Sequence, residues 1–350
     1  MKSGRFILAL LSLAFLLLEA LIAWAYAQTQ PFYQGKTVRI IVGSSTGGLY
    51  DLWARLFAKH MTKYIPGNPD MIVQNMPGAG GLAATNYLYG NVKPDGLTLG
   101  MFQGHRYMQQ LTGAAEVQFD LRKFNWIGTM EKTELMFFVR ADSPYKSMAD
   151  VLKASEPLKC GTTGSTDGTY LLTKILEETL GAKFNLVVGY QSGNAIDLAT
   201  EKGEVICRGM IVTGHFSREP FLTWHNKGFD RHLVQTGNKR DPRMAGAPTL
   251  NELMDKHKTP DLSRRVAQII LAGNEYGRPM VTSPGVPMDR VTMLREAYSK
   301  ALKDPELIEE AKKGKLEIEP ATGEELQALT ERVMNQPPAV IERVKKLVGN

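Results

Sequence analysis

Along the first quarter of the chain the apolar positions change period at one place. Val38, Ile40, Ile41 and Val42 form a short continuous run that predicts a buried strand. Three small residues, Thr46 and the pair Gly47-Gly48 follow. Beyond Asp51 the apolar residues recur at helical spacing, with Leu52 and Leu56 on one stripe and Trp53, Phe57 and Met61 beside it. The pattern is strand, glycine-rich turn, helix. Such a turn aims backbone N–H groups and the positive end of a helix beyond the strand, which suits an anion.

The alternation continues. Met71–Gln74 predicts a strand, followed by the glycine-rich Asn75–Gly81 and a helix through Tyr89. Lys93-Pro94-Asp95-Gly96 predicts a turn before a strand at Leu97–Phe102, and further strands are expected at Trp126–Gly128 and Leu135–Arg140. Asp142-Ser143-Pro144 breaks the pattern. A second copy of the opening device then starts at Leu158, with Gly161–Gly168 as its turn and a helix closed by Gly181. Strands follow at Phe184–Val188 and Val205–Ile211. The last third is mostly helical, with a capping box at Thr322–Glu325 and a break at Pro337-Pro338.

Strands alternating with helices imply α/β architecture with mainly parallel sheets. Two turn devices in two halves predict two α/β domains facing one another across a cleft, the plan of a venus-flytrap receptor. The expected bounds are a leader at 1–27, a first domain from 28–139, a second from 140–271, and a return to the first at 272–350. Crossings are expected near Phe138–Ala141 and Leu271–Asn274. The two helix ends, near Gly48 and Thr166, are expected to converge on one carboxylate, and with two or three hydrogen bonds to suffice for micromolar binding without a lysine or arginine in the cleft.

The first turn admits other chemistry. Gly43 to Gly48 have the glycine spacing of a phosphate loop, but Leu49 and Tyr50 stand where its lysine and hydroxyl belong. Gly43-Ser44-Ser45-Thr46-Gly47 matches the G-x-S-x-G nucleophile elbow, so a secreted serine esterase acting through Ser45 is the alternative function. A plain packing turn also fits. Asp51 equally reads as a helix cap and Tyr190 as a core aromatic. His105 and His215 follow expected strands on the cleft side.

Lys2 and Arg5, the apolar run Phe6–Leu18 and Ala25-Tyr26-Ala27 have the order of a secretory signal, so the mature chain is expected to be exported. Without that leader the formal net charge falls from +6 to +5. Basic residues are interspersed with acidic ones, which argues against a nucleic-acid footprint and mildly favours anionic ligands. Cys160 and Cys207 lie on expected strands of one sheet. A disulfide and two buried thiols both fit that placement, and their spacing does not resemble a metal site.

Taken in order, several segments resemble the substrate-binding proteins of tripartite tricarboxylate transporters, the Bug receptors. They are the opening at Val38–Leu56, QNMPGAGG at Gln74–Gly81, KPDGLTLG at Lys93–Gly100, the turn before Tyr170, Gly189-Tyr190 with Gly193, Gly203-Glu204-Val205, and Ala247–Glu252. The resemblance implies a monomeric periplasmic receptor that binds a small carboxylate for an integral-membrane transporter or a sensor. It implies no enzyme activity, cofactor, metal or nucleic acid. By position it places the ligand against Thr46, Gly47, Gly48, Asp51, Asn75 and Gly80 in the first domain. In the second it implies Gly164, Ser165, Thr166, Thr169, Tyr190 and Gly193. The chain departs from the family's usual pattern at Thr46, at Tyr170-Leu171-Leu172 and at Ile206, positions that bear on the ligand's far end.

Overall fold

The computed structural model describes residues 30–164 and 167–348. The leader, Ser165 and Thr166 therefore lie outside the described residues. No helix of the described residues is long and apolar enough to cross a membrane.

Among the described residues eleven strands follow in chain order: β1 (Thr37–Val42), β2 (Asp70–Asn75), β3 (Thr98–Met101), β4 (Asn125–Thr129), β5 (Leu135–Arg140), β6 (Leu158–Thr162), β7 (Phe184–Val188), β8 (Cys207–Ile211), β9 (Asp230–Gln235), β10 (Pro279–Thr282) and β11 (Ala321–Thr322). They form two sheets, ordered β11-β4-β10-β3-β1-β2 and β7-β6-β8-β5-β9. In the first, β1 runs parallel to β2 and β3; in the second, β6 runs parallel to β7 and β8. Each sheet also receives an antiparallel strand near its middle, β10 in one and β5 in the other. Both follow directly on a crossing between sheets, so they enter from the opposite end. The expectation of mainly parallel sheets holds for the βαβ units alone.

The first crossing is earlier than Phe138–Ala141. β5 pairs with β8 and β9, so the chain leaves the first sheet between Thr129 and Leu135. A run of five buried residues (Leu135–Val139) announces a central strand but not whose. The return passes through the helix Asp261–Tyr276 into β10. Thr133 N–H donates to the Asn274 carbonyl (2.9 Å), binding the two crossings side by side.

The helix Leu49–His60 buries Trp53, Ala54 and Phe57 against β1 and β2, while Leu52 points outward, 45 % exposed. The buried stripe is thus the one carrying the aromatics, because they remove more apolar area from water. Thr322 and Glu325 form the expected capping box, and a new helix starts at Pro338. The Ala247–Glu252 segment is a capping box too, between Thr249 and Glu252. Cys160 lies in the middle of β6, opposite Cys207 of β8 with Cα atoms 4.7 Å apart, and the two form a disulfide.

Candidate functional site

The first turn is braced from below. Asp51, 1 % exposed, accepts from Gly47 N–H (2.8 Å), Arg55 Nε (2.9 Å) and Asn75 Nδ2 (3.0 Å). Asn75 also donates to the Ser44 carbonyl (3.0 Å), and its Oδ1 accepts from Thr46 Oγ1 (3.2 Å). Burial pushes the Asp51 carboxyl up, but the hydrogen bonds from Arg55, Gly47 and Asn75 outweigh it and hold the group below the usual carboxylate range. Asp51 and Asn75 therefore act on the protein's own backbone. Gly48 begins the helix with no side-chain cap, and Thr46 to Leu49 are exposed, so this helix end faces outward, its charge partly offset by the Asp51 carboxylate in its first turn. The glycine loop after β2 seats against the same turn. Gly81 has a φ of +97°, and a β-carbon there would stand 2.8 Å from the Gly43 carbonyl oxygen.

The second turn differs. Its helix, Gly168–Leu180, is capped by Asp167, whose carboxylate accepts from Thr169 N–H (2.8 Å). The helix end is already partly neutralised by its own residue. Thr169 is fully buried, and its hydroxyl exchanges 3.1 Å hydrogen bonds with both the N–H and the carbonyl of Gly209. It ties the helix to β8, and its one hydroxyl proton is spent there. Gly164 N–H is taken by Thr162 Oγ1 (3.3 Å). The Tyr190 ring lies over Gly161, where a β-carbon would come within 3.1 Å of it.

Between the two sheets lies a cleft of about 610 Å³. None of the ten described residues among the twelve expected site residues lines it, yet three directly adjoin one that does: Asp51 after Tyr50, Gly80 after Ala79 and Thr169 after Gly168. The turns frame the cleft, and the side chains just past them fill it.

Four arginines line it, Arg106, Arg208, Arg218 and Arg278, correcting the expectation that backbone groups act alone. Arg278 is paired with Glu131 (2.6 Å) and lies 5.6 Å over the Tyr50 ring. Arg208 pairs with Asp197 and donates to the Gly193 carbonyl (3.3 Å). Burial lowers its guanidinium to about 10, with Asp167 opposing and Arg218 reinforcing the shift, which places these three charges together. Arg106 is 6 % exposed and bonds only to neutral oxygens, the Gly80 carbonyl and Gln109 Oε1 (2.5 Å). Among the described residues neither Arg106 nor Arg218 has a carboxylate partner. Burial pulls Arg106 below its ordinary value, the mark of a cation that lacks a counter-charge.

His105 opens into the cleft, but the surrounding walls strip its water and Arg106 stands beside it; both hold its pKa down to about 4. His215 is fully buried away from the cleft, packed with Phe138, Phe216 and Phe221. Among the described residues no histidine hydrogen-bonds Ser45, and the esterase reading is not supported.

The arginines were missed because a lone arginine in sequence looks like a surface one. Arg208 did carry a signal, since it interrupts an apolar strand between Cys207 and Gly209.

Comparison with known proteins gives a consistent answer. Residues 53–345 match the model of the tripartite tricarboxylate transporter family receptor. A UPF0065 protein of Agrobacterium vitis is 29 % identical over 205 residues, 56 % of this chain and 57 % of that protein, so the match spans just over half the relative's length. A TctC solute binding protein from Polaromonas superposes with a TM-score of 0.70 at 20 % identity, covering 90 % of this chain and 99 % of that one. MatC from Rhodopseudomonas palustris with bound malate gives 0.55 at 20 % identity (90 % and 99 %), and an R. palustris protein with adipate gives 0.56 at 21 % (90 % and 98 %). At those identities the structures speak to fold. The family match, which covers most of the chain, decides the rest: this protein belongs to the tripartite tricarboxylate transporter receptor family.

Proposed function

We propose that this chain is an extracytoplasmic receptor for a small organic acid carrying at least two carboxylates, exported to the periplasm. It would act as a monomer and deliver its ligand to integral-membrane transporter subunits. The observation that carries this reading is Arg106, a buried guanidinium in the cleft with no carboxylate partner among the described residues. An unpaired buried charge costs several kcal/mol, so a ligand carboxylate that neutralises it binds with that penalty relieved. Arg208 and Arg218, on the second-sheet wall, offer a second cationic pole for the ligand's other end. Malate and adipate, bound by two structural neighbours, are both dicarboxylates. The exposed helix end at Gly48 adds a weaker attraction, about 0.3–1 kcal/mol.

Hydrogen bonds to charged groups contribute roughly 1.5–3 kcal/mol each, so three or four reach micromolar affinity, about −8 kcal/mol. Because each wall supplies one pole, a dicarboxylate favours the closed arrangement over an open one. Asp167, at the second wall, repels a further carboxylate there and accepts from a ligand hydroxyl.

The test is a thermal-shift and calorimetry panel of mono-, di- and tricarboxylic acids, malate and adipate among them, with neutral isosteres as controls. A dicarboxylate should raise the melting temperature, and Arg106→Gln should weaken dicarboxylate binding at least tenfold while leaving the unliganded protein at least as stable. Stabilisation by neutral compounds alone would overturn the proposal.

A further inference from the structure

Away from the cleft, the second sheet carries four side chains that carboxylate binding does not use. They are His215, His225, Asp230 and His232, whose ligand atoms all lie within 4.8 Å of one another. Three elements bring them together. Asp230 and His232 are two residues apart on β9 and so share a face. His215 ends the short helix Val212–His215, and His225 lies on the helix Phe221–Lys227.

Three of the atoms form a tight triangle. His215 Nε2 is 2.8 Å from Asp230 Oδ2, His232 Nε2 is 3.0 Å from the same oxygen, and the two nitrogens are 3.1 Å apart. Hydrogen bonds satisfy two sides of such a triangle. The third then presses together two nitrogens that both donate to one oxygen. Ligand atoms held about 2.0–2.2 Å from a tetrahedral Zn²⁺ stand about 3.3–3.6 Å from one another, so the triangle need open by only about half an ångström to seat the ion. Asp230 Oδ1 and His215 Nδ1 are buried in the same cluster without a partner.

The surroundings suit a metal as well. His215 and the Asp230 side chain are fully buried and His232 is 10 % exposed. His225 is exposed and stacked on the His232 ring (centroids 5.5 Å apart), so a cation can arrive from solvent and a small rotation brings the fourth ligand in. The other candidate group, His60, Asp304 and Glu306, already holds the Lys63 ammonium between its carboxylates.

We propose that His215, His225, Asp230 and His232 bind one divalent d-block cation, with Zn²⁺ as the expected occupant. Three imidazole nitrogens and one carboxylate match zinc's ligand set, whereas Ca²⁺ and Mg²⁺ demand six or more mostly oxygen ligands. Four protein ligands close the coordination sphere, so the site is structural. It ties together both ends of the segment from His215 to His225, which carries Arg218 into the cleft.

The experiment uses the untagged mature chain, stripped with EDTA and dialysed against ZnCl₂, with bound metal counted by mass spectrometry and affinity measured by calorimetry. One zinc per chain and a higher melting temperature are expected, with no such rise from MgCl₂ or CaCl₂. His225→Ala removes an exposed ligand without threatening the fold and should weaken zinc binding at least tenfold. Asp230→Asn combined with His232→Gln should abolish it. Failure of the wild-type chain to hold stoichiometric zinc would overturn the site, as would zinc binding undiminished in His225→Ala.

Discussion

Arg208 reaches the cleft across Gly193: its Nη1 donates to the Gly193 carbonyl (3.3 Å), and a β-carbon on Gly193 would stand 2.8 Å from its Nη2. The glycine read from sequence as a ligand contact thus serves the arginine beside it. Gly193→Ala should push the guanidinium aside and weaken dicarboxylate binding about tenfold, roughly 1.4 kcal/mol, by calorimetry. Unchanged affinity would mean that Arg208 is not part of the ligand site.

Arg278 behaves differently from Arg106, although both line the cleft. It is 8 % exposed and paired with Glu131, which also accepts from Trp53 Nε1 (3.1 Å) at the first crossing. Removing one partner of a buried pair costs about 3–5 kcal/mol. Arg278→Met should therefore lower stability by that amount in chemical denaturation, and adding Glu131→Gln should recover part of the loss. If Arg278→Met costs under about 1 kcal/mol, the pair is not holding the crossing.

Cys160 and Cys207 close a loop with a sequence separation of 47. The chain-entropy account gives about 4 kcal/mol for such a loop, and measured values are usually about 2–4. The double variant Cys160→Ala/Cys207→Ala should lose about 2–4 kcal/mol, and peptide mapping of the oxidised wild type should recover the cross-linked pair. Free thiols in the oxidised wild-type protein would contradict the bridge.

The strand–turn–helix devices were legible because each depends on local period and on glycines whose backbone no other residue replaces well. β5 was not. Its continuous apolar run says only that both faces are covered, and its sheet is decided by pairing with β8 and β9, far along the chain. The partners of the expected site residues were hidden in a related way. Thr169 sits where a ligand hydroxyl is expected but is consumed by Gly209, and only the tertiary pairing reveals that. The zinc candidates are hidden for the same reason, being contributed by β9 and two short helices.

Asp51 makes the first turn sensitive to acid. Its carboxyl is held below the usual carboxylate range in the folded protein and returns to about 3.9 on unfolding. The unfolded chain therefore binds its proton first as pH falls. Stability from this group is fully present above about pH 5, and is lost progressively as pH drops through the unfolded and then the folded pKa. Asp51→Asn breaks the charge-assisted bonds to Arg55 and Gly47 and should cost about 1–3 kcal/mol near neutral pH. Below the folded pKa the wild-type carboxyl is itself neutral, so the gap between wild type and variant should narrow steadily as the pH falls below about 5. Urea denaturation of both proteins across that range measures it. A gap that stays constant with pH would show that Asp51 braces the turn through shape, and that its charge contributes nothing.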